Sequence, residues 1–162
     1  MDLQEVKSRI SEALVESIFR RARFHVKPFR TEALPLRFGR EDYSPDFRVT
    51  RRLEDGSERE GLVEVKYRPS IEQFISVENQ RGERSMILHA RKQWPALYFV
   101  LVTDRPDAGR SCFQAVSFAS YVQGEAFKTV DLQDLKELRI FKHNVEDHEE
   151  LVRRIFGLLS GS

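Results

Sequence analysis

The most apolar run of the chain, ALYFVLVT at residues 96 to 103, limits the folds that this sequence can adopt. Side chains along a strand point alternately to its two faces, and both faces of this run are apolar. A strand of this kind needs other elements to cover both of its sides, as helices do in α/β proteins. The run therefore predicts the central strand of a sheet that has helices on both faces.

Periodic patterns and turn residues predict the elements that precede this strand. Apolar residues recur every three or four positions in a first helix, a short strand follows, and Asp55-Gly56 marks the turn of a β-hairpin. Ser70 and Gln73 resemble a capping box that opens a second helical region, which the polar segment NQRGE interrupts. The predicted ranges are 3 to 22 for the first helix, 24 to 29 for the first strand, 46 to 52 and 61 to 67 for the hairpin, and 70 to 94 for the second helical region.

The rest of the chain completes a single domain, because 162 residues suffice for one core and are too few for two. Another strand and two short helices are predicted at 112 to 118, 131 to 138 and 146 to 159. We therefore expect one α/β domain over residues 1 to 162 with a mixed central sheet flanked by helices. Its αβββαβ core is expected at about 8 to 118, followed by a C-terminal helical extension at 119 to 162.

The second strand of the hairpin, LVEVKY, combines an apolar face with a charged one. Two valines and a tyrosine occupy one face, whereas Glu64 and Lys66 occupy the other. A half-buried carboxylate or ammonium without a partner is costly to desolvate. Asp46 enters from the preceding strand, so two acids and a lysine would meet in one cleft. A bound cation and an anionic substrate explain this combination better than packing does.

The residue types of this cleft suit a divalent metal. Asp46 and Glu64 supply hard oxygen ligands, and the Val65 carbonyl between Glu64 and Lys66 is a further candidate ligand. Mg²⁺ prefers such oxygens and seldom needs more than two carboxylates, and we expect that Mn²⁺ can substitute for it. The Lys66 ammonium is placed to stabilise charge on a phosphate, or to orient and deprotonate a metal-bound water.

The segment SPDF, a hairpin turn and then VEVK resemble the signature of the PD-(D/E)XK nuclease superfamily, which has the restriction-endonuclease-like fold. That superfamily includes restriction enzymes, Holliday-junction resolvases and nucleases that cleave transposon ends. The resemblance covers about residues 8 to 103 and implies an active-site core of Asp46, Glu64 and Lys66. It also implies a metal held by Asp46 and Glu64.

The same resemblance implies a further acid on the first helix. Glu12 fits this position, because apolar residues follow it one and two turns on and the first strand begins at Phe24. Glu12 would then join the catalytic residues and the metal ligands, and Glu16 is the competing assignment. Many members of the superfamily have glycine before the first strand, where this chain has Arg23.

Two functions are consistent with these features. The first is a Mg²⁺-dependent DNA endonuclease in which water attacks a phosphodiester bond. The alternative is a catalytically inactive nuclease-fold module that binds DNA or assembles with a partner protein. No glycine-rich phosphate loop is present in the sequence, so we expect no nucleotide cofactor. Specificity would come from DNA shape, from a homodimer or from a partner protein, and the choice of DNA over RNA stays open.

Composition sets the expected environment. The single Cys112 excludes an internal disulfide and any multi-cysteine zinc site, so a reducing, cytoplasmic setting is expected. No apolar run approaches the roughly 18 residues of a membrane span, so no membrane partner is expected. The net charge of +1 neither requires nor excludes a nucleic-acid partner.

The length of the hairpin turn tests the predicted site. Asp46 and Glu64 can share one side of the sheet only if an odd number of residues separates the paired strands, or if a bulge restores the phase. A two-residue Asp55-Gly56 turn would place them on opposite sides. We therefore predict a loop such as 55 to 57, with Asp46 opposite Lys66. The apolar faces of both hairpin strands should then pack together against a helix.

Overall fold

The computed structural model describes residues 2–29, 36–39, 41–118 and 124–160. It is an α/β structure in which helices flank a mixed six-stranded sheet. The helices are α1 (Leu3–Arg21), α2 (Ile71–Arg81), α3 (Met86–Gln93) and α4 (Lys142–Ser160). The strands are β1 (His25–Pro28), β2 (Arg37–Phe38), β3 (Glu41–Asp42), β4 (Phe47–Arg52), β5 (Glu58–Tyr67), β6 (Leu97–Val102), β7 (Phe113–Ser117) and β8 (Lys128–Asp131).

The strands of the main sheet lie in the order β1-β4-β5-β6-β7-β8, and β2 pairs with β3 in a separate two-stranded hairpin. Strands β5 and β6 are parallel, whereas the other neighbouring pairs in the main sheet are antiparallel. A parallel pair needs a long crossover, and here α2 and α3 provide it. The predicted interruption of the second helical region is confirmed, since a 3₁₀ turn at Gly82–Arg84 separates the two helices.

Strand β6 lies inside the sheet and is covered on both faces, as its apolar sequence predicts. Val100 and Val102 belong to the apolar cluster that contains residues of α1 and α4. Phe99 and Leu101 belong to a second cluster, which contains residues of α2 and α3. The alternation of side chains along one strand therefore supplies both halves of the core.

The apolar side of the β4–β5 hairpin packs against α1, as predicted. Its members lie in one buried cluster with Val15, Ile18 and Phe19 of that helix. They are Phe47, Val49, Val63, Val65 and Tyr67.

The C-terminal extension differs from the prediction of purely helical additions. Strand β8 pairs with β7 and forms an edge of the main sheet. Two 3₁₀ turns, Leu132–Asp134 and Lys136–Leu138, replace the helix predicted at 131 to 138. The last helix, α4, is longer than predicted and contributes Val152 and Phe156 to the cluster shared with α1. Sheet pairing and burial against α1 thus override the short helical pattern, which local sequence alone favoured.

The hairpin loop is odd in length, as the shared face of Asp46 and Glu64 requires, but the predicted three-residue loop is wrong. Arg52 pairs with Glu58, so five residues, 53 to 57, lie between the strands. The amide of Leu53 donates to the carbonyl of Ser57 at 2.7 Å, and the Ser57 amide donates to Asp55 Oδ1 at 2.9 Å. These bonds close the longer loop from within, which the Asp-Gly signal alone does not reveal.

Helix α1 ends in a Schellman motif, with Arg23 in the position where glycine is favoured. The Phe24 amide donates to the Phe19 carbonyl and the Arg23 amide to the Arg20 carbonyl, and the rings of Phe19 and Phe24 are in edge contact at 5.3 Å. Arg23 has φ of 71°, in the left-handed region. The position before the first strand therefore requires the backbone conformation for which glycine is best suited.

In the part of the chain that the structure describes, none of the helices is both long and apolar enough to cross a membrane. Cys112 is a free, buried thiol immediately before β7.

Candidate active site

The charged side of β5 is buried in the protein rather than open to solvent. Glu64 has only 1% of its surface exposed, and the Lys66 side chain is 12% exposed. The Lys66 Nζ lies 3.1 Å from Glu64 Oε1. It also donates to the Asp42 carbonyl at 2.5 Å and lies over the Tyr43 ring, 4.6 Å from its centroid. The ammonium group is therefore held in one place by three separate contacts.

Asp46 lies just before β4 and binds the backbone of β5 twice. Its amide donates to the Val63 carbonyl at 2.7 Å, although Val63 is the register partner of Phe47. Its Oδ2 accepts a hydrogen bond from the Val65 amide, also at 2.7 Å. The Asp46 side chain thus satisfies a β5 amide beyond the end of the regular β4 pairing. This contact brings its carboxylate to the level of Glu64, rather than opposite Lys66 as predicted.

The Val65 carbonyl faces the same region. In an antiparallel ladder the amide and carbonyl of one residue point towards the same neighbouring strand. Because the Val65 amide points to Asp46, its carbonyl points to that side as well, past the first residue of β4. This direction is compatible with the predicted role of the carbonyl as an oxygen ligand.

Helix α1 contributes Glu12 rather than Glu16 to the cluster. Glu12 is half-buried, and its carboxylate lies close enough to Asp46 and Lys66 to interact with both side chains. Glu16 lies one turn further on and forms a solvent-exposed ion pair with Arg20 at 3.1 Å. We use the name acidic cluster for Glu12, Asp46 and Glu64.

Burial and repulsion between the carboxylates raise the pKa values of the acidic cluster. Burial, and then the charge of Glu12, raise the pKa of Asp46 to about 7, against the Val65 amide and the Lys66 charge, which lower it. Burial raises the pKa of Glu64 well above its ordinary value, and the Asp46 charge adds to this effect. Burial also raises the pKa of Glu12. The cluster therefore favours binding a proton or another cation.

The donor chemistry of the cluster fits a hard divalent metal, although its conformation does not form a complete metal site. Glu64 Oε2 is buried and, within the described residues, has no hydrogen-bond partner. Carboxylate and carbonyl oxygens are the ligands that Mg²⁺ prefers. However, no three or more His, Cys, Asp or Glu residues in the described ranges are arranged to hold a metal ion. One oxygen of Glu64 contacts Lys66 instead, so the carboxylates would have to rearrange slightly to share an ion.

Sequence reasoning missed the contribution of the segment before Asp46. The Asp42 carbonyl holds Lys66, and the Asp42 charge helps to raise the pKa of both Asp46 and Glu64. Tyr43 is buried and supplies the ring below the lysine. Only the position of these residues, immediately before the SPDF segment, could have indicated a role, because neither belongs to a recognised pattern.

Two further polar residues, His148 and Arg81, have structural partners. His148 is buried, its Nδ1 donates to the Asn144 carbonyl at 2.6 Å, and its Nε2 lies 2.8 Å from Ser17 Oγ on α1. It therefore joins two helices. Arg81, in the polar break of the second helical region, forms an ion pair with Glu78 at 3.0 Å.

The chain matches no protein-family model, no curated protein and no solved structure. The geometry of the cluster and the sequence resemblance are therefore the grounds on which a function can be argued.

Proposed function

We propose that this protein is a metal-dependent deoxyribonuclease that hydrolyses phosphodiester bonds, with Asp46, Glu64 and Lys66 as the core of its active site and Glu12 beside them. The observation that carries the proposal is the group of three buried or half-buried acids beside one ordered lysine, with Glu64 Oε2 lacking a partner in the described part of the chain. A buried carboxylate oxygen is rarely left unbonded unless it has another task. The preference for DNA rests on the resemblance to the PD-(D/E)XK nucleases.

Each residue has a defined part in the proposed reaction. Asp46, Glu64 and the Val65 carbonyl would hold Mg²⁺ or Mn²⁺, with Glu12 nearby. Such an ion polarises a phosphate and lowers the pKa of a bound water. Lys66 is fixed by Glu64 and the Asp42 carbonyl, and its positive charge would stabilise the charge that develops on the phosphate. The enclosed setting strengthens these interactions because it excludes water.

The test is a cleavage assay on linear duplex, branched and single-stranded DNA and on RNA of the same sequences, with Mg²⁺, Mn²⁺ or a chelator. We expect metal-dependent cleavage of DNA by the wild-type protein. Asp46→Ala, Glu64→Ala and Lys66→Ala should each lower the rate at least about 100-fold, the scale seen when a transition-state contact is removed. Glu16→Ala and Lys27→Ala are matched controls outside the cluster and should cleave normally.

Cleavage that survives in Glu64→Ala would contradict the assignment. A chain that melts at a much lower temperature after Asp46→Ala in metal-free buffer would show instead that this acid is structural.

One observation favours the alternative, a nuclease-fold module without turnover that acts on DNA or with a partner protein. Lys66 already has two polar partners, and within the described ranges the acids do not form a ready metal site. In that case the wild-type protein would cleave none of the substrates with any metal. It would still bind DNA or a partner, and Lys66→Ala would change that binding without changing a rate.

A further inference from the structure

A cleft of about 310 Å³ lies beside the acidic cluster, between the β2–β3 hairpin and α2. Its apolar wall contains Phe38, Tyr43, Phe74 and Val77. Gln73 of α2 also lines it and presents a side-chain amide. We call this space the aromatic cleft. It has the size of a small ligand pocket, although it is open on one side.

The charged residues in the wall of the aromatic cleft neutralise one another. Arg68 Nη2 donates to both carboxylate oxygens of Glu41, at 2.9 and 2.8 Å. Arg81 Nη1 pairs with Glu78 Oε2 at 3.0 Å. Among the described lining residues two guanidinium groups thus face two carboxylates, and no net charge remains for a phosphate. The cleft therefore suits a neutral group.

Aromatic rings and planar guanidinium groups form much of the wall of the aromatic cleft. The Arg81 guanidinium lies over the Phe38 ring at 4.3 Å, and the Arg68 guanidinium lies over the Phe74 ring at 4.6 Å. Phe38 nevertheless keeps 49% of its surface exposed. Aromatic rings and arginine planes are the surfaces on which unpaired bases stack in nucleic-acid complexes. A side-chain amide such as that of Gln73 can hydrogen-bond the polar edge of a base.

The Tyr43 side chain connects the aromatic cleft to the acidic cluster. Its ring lines the cleft and also carries the Lys66 ammonium at 4.6 Å. Its hydroxyl donates to Glu41 Oε2 at 3.0 Å, which fixes the ring. A group in the cleft would therefore be one side chain away from Lys66, about the separation of a base from its own phosphate.

We propose that the aromatic cleft binds one unpaired nucleobase of a strand whose adjacent phosphate lies at Lys66. A nucleobase is a neutral, planar ring with polar groups along its edge. The aromatic cleft is also neutral, and it offers such a ring aromatic surfaces and one side-chain amide. The position of the phosphate rests on the proposed function, and the stacking site rests on the cleft itself. The resulting substrate preference is for single-stranded or frayed nucleic acid over continuous duplex, because a paired base cannot enter the cleft without leaving its stack.

The test measures binding in the presence of a chelator, so that cleavage plays no part. The probes are a fluorescent single-stranded 12-nucleotide DNA, its duplex, and a single strand of the same length with abasic sites, which keeps the phosphates but lacks bases. We expect the wild-type protein to bind the normal single strand more tightly than either other probe. Phe38→Ala should weaken that binding about 5- to 100-fold, the scale of one lost base–aromatic stack.

Phe141→Ala is the matched control, because Phe141 is 44% exposed and precedes α4 rather than lining the aromatic cleft. It should bind the single strand as the wild type does. Equal binding of the abasic and normal strands would overturn the proposal. So would duplex binding as tight as single-strand binding, or equal losses in Phe38→Ala and Phe141→Ala.

The two proposals fail separately. Base-dependent binding that Phe38→Ala weakens, in a protein that cleaves no substrate, would support the cleft and overturn the nuclease. Metal-dependent cleavage that needs Glu64, in a protein whose binding ignores bases and Phe38, would support the nuclease and overturn the cleft.

Discussion

Two buried glutamates of this protein, Glu64 and Glu78, are equally inaccessible but are bonded very differently. Each has 1% of its surface exposed. Glu78 Oε1 accepts hydrogen bonds from Ser85 Oγ at 3.0 Å and from the Ile87 amide at 2.9 Å, and Oε2 pairs with Arg81. Both of its oxygens are therefore satisfied, and together these bonds tie the end of α2 to the start of α3.

The Glu64 carboxylate has fewer partners than that of Glu78. One oxygen contacts Lys66, and the other has no partner in the described ranges. The nearby Asp46 also repels its charge. A buried carboxylate that is bonded at every oxygen supports the fold, whereas one that is left partly unbonded among other acids is costly to it. The comparison teaches that burial alone does not distinguish a structural acid from a functional one, and that the bonds of each oxygen do.

The largest expected difference between Glu78 and Glu64 is in the free energy of unfolding after each is replaced by glutamine. Glu78→Gln removes the charge that pairs with Arg81 and places an amide group next to it, so the free energy of unfolding should fall by about 3 kcal/mol. Glu64→Gln keeps an oxygen for Lys66 and removes a repelled buried charge, so the change should lie within about 1 kcal/mol of zero or be stabilising. Chemical denaturation in metal-free buffer measures both. Equal losses in the two variants would remove the distinction.

A bound divalent ion should distinguish the acidic cluster further from the structural acid Glu78. If the acidic cluster binds Mg²⁺, the ion stabilises the folded protein by about 2.7 kcal/mol at about 100 times its Kd. Melting curves with and without Mg²⁺ should show this shift for the wild type and for Glu16→Gln. Glu64→Gln and Asp46→Asn should lose it. A shift that persists in both cluster variants would place the ion elsewhere.

The acidic cluster should also make stability depend on pH when no metal is present. The pKa of Asp46 is about 7 in the folded protein, against 3.8 for an ordinary aspartate. Between these values the folded state binds more protons than the unfolded state, so stability falls as the pH rises. For this group the loss falls between about pH 4 and about pH 7, the range that separates the two pKa values. Asp46→Asn should flatten that slope. A slope that is unchanged in the variant would show that Asp46 ionises normally.

Much of the architecture follows from local patterns in the sequence. The spacing of apolar residues predicted α1 nearly to its last residue, and the two apolar faces of residues 96 to 103 predicted the covered strand β6. The alternation of Glu64 and Lys66 with apolar neighbours predicted the two sides of β5 correctly. These features are local because the period of an element is fixed by its backbone geometry, and every side chain in the element follows it.

Other features depended on contacts between distant segments. Strand β8 exists because β7 offers it an edge, and its own sequence resembles a strand only weakly. The five-residue loop follows from bonds between Leu53, Asp55 and Ser57, and it decides which β5 residue lies beside Asp46. Patterns within one segment do not carry such information, because register depends on both strands and on the turn that joins them.

The sequence by itself determined that Glu64 and Lys66 would lie on one side of a hairpin strand, since their spacing along the strand fixes that side. Only the tertiary structure decided their environment. It brought Glu12 rather than Glu16 to Asp46, held Lys66 with the Asp42 carbonyl, and left one oxygen of Glu64 without a partner among the described residues. It also satisfied both oxygens of Glu78, which the sequence does not distinguish from any other helical glutamate. The reason is that burial and hydrogen bonding are set by all the segments that meet at a point, whereas periodicity belongs to one segment alone.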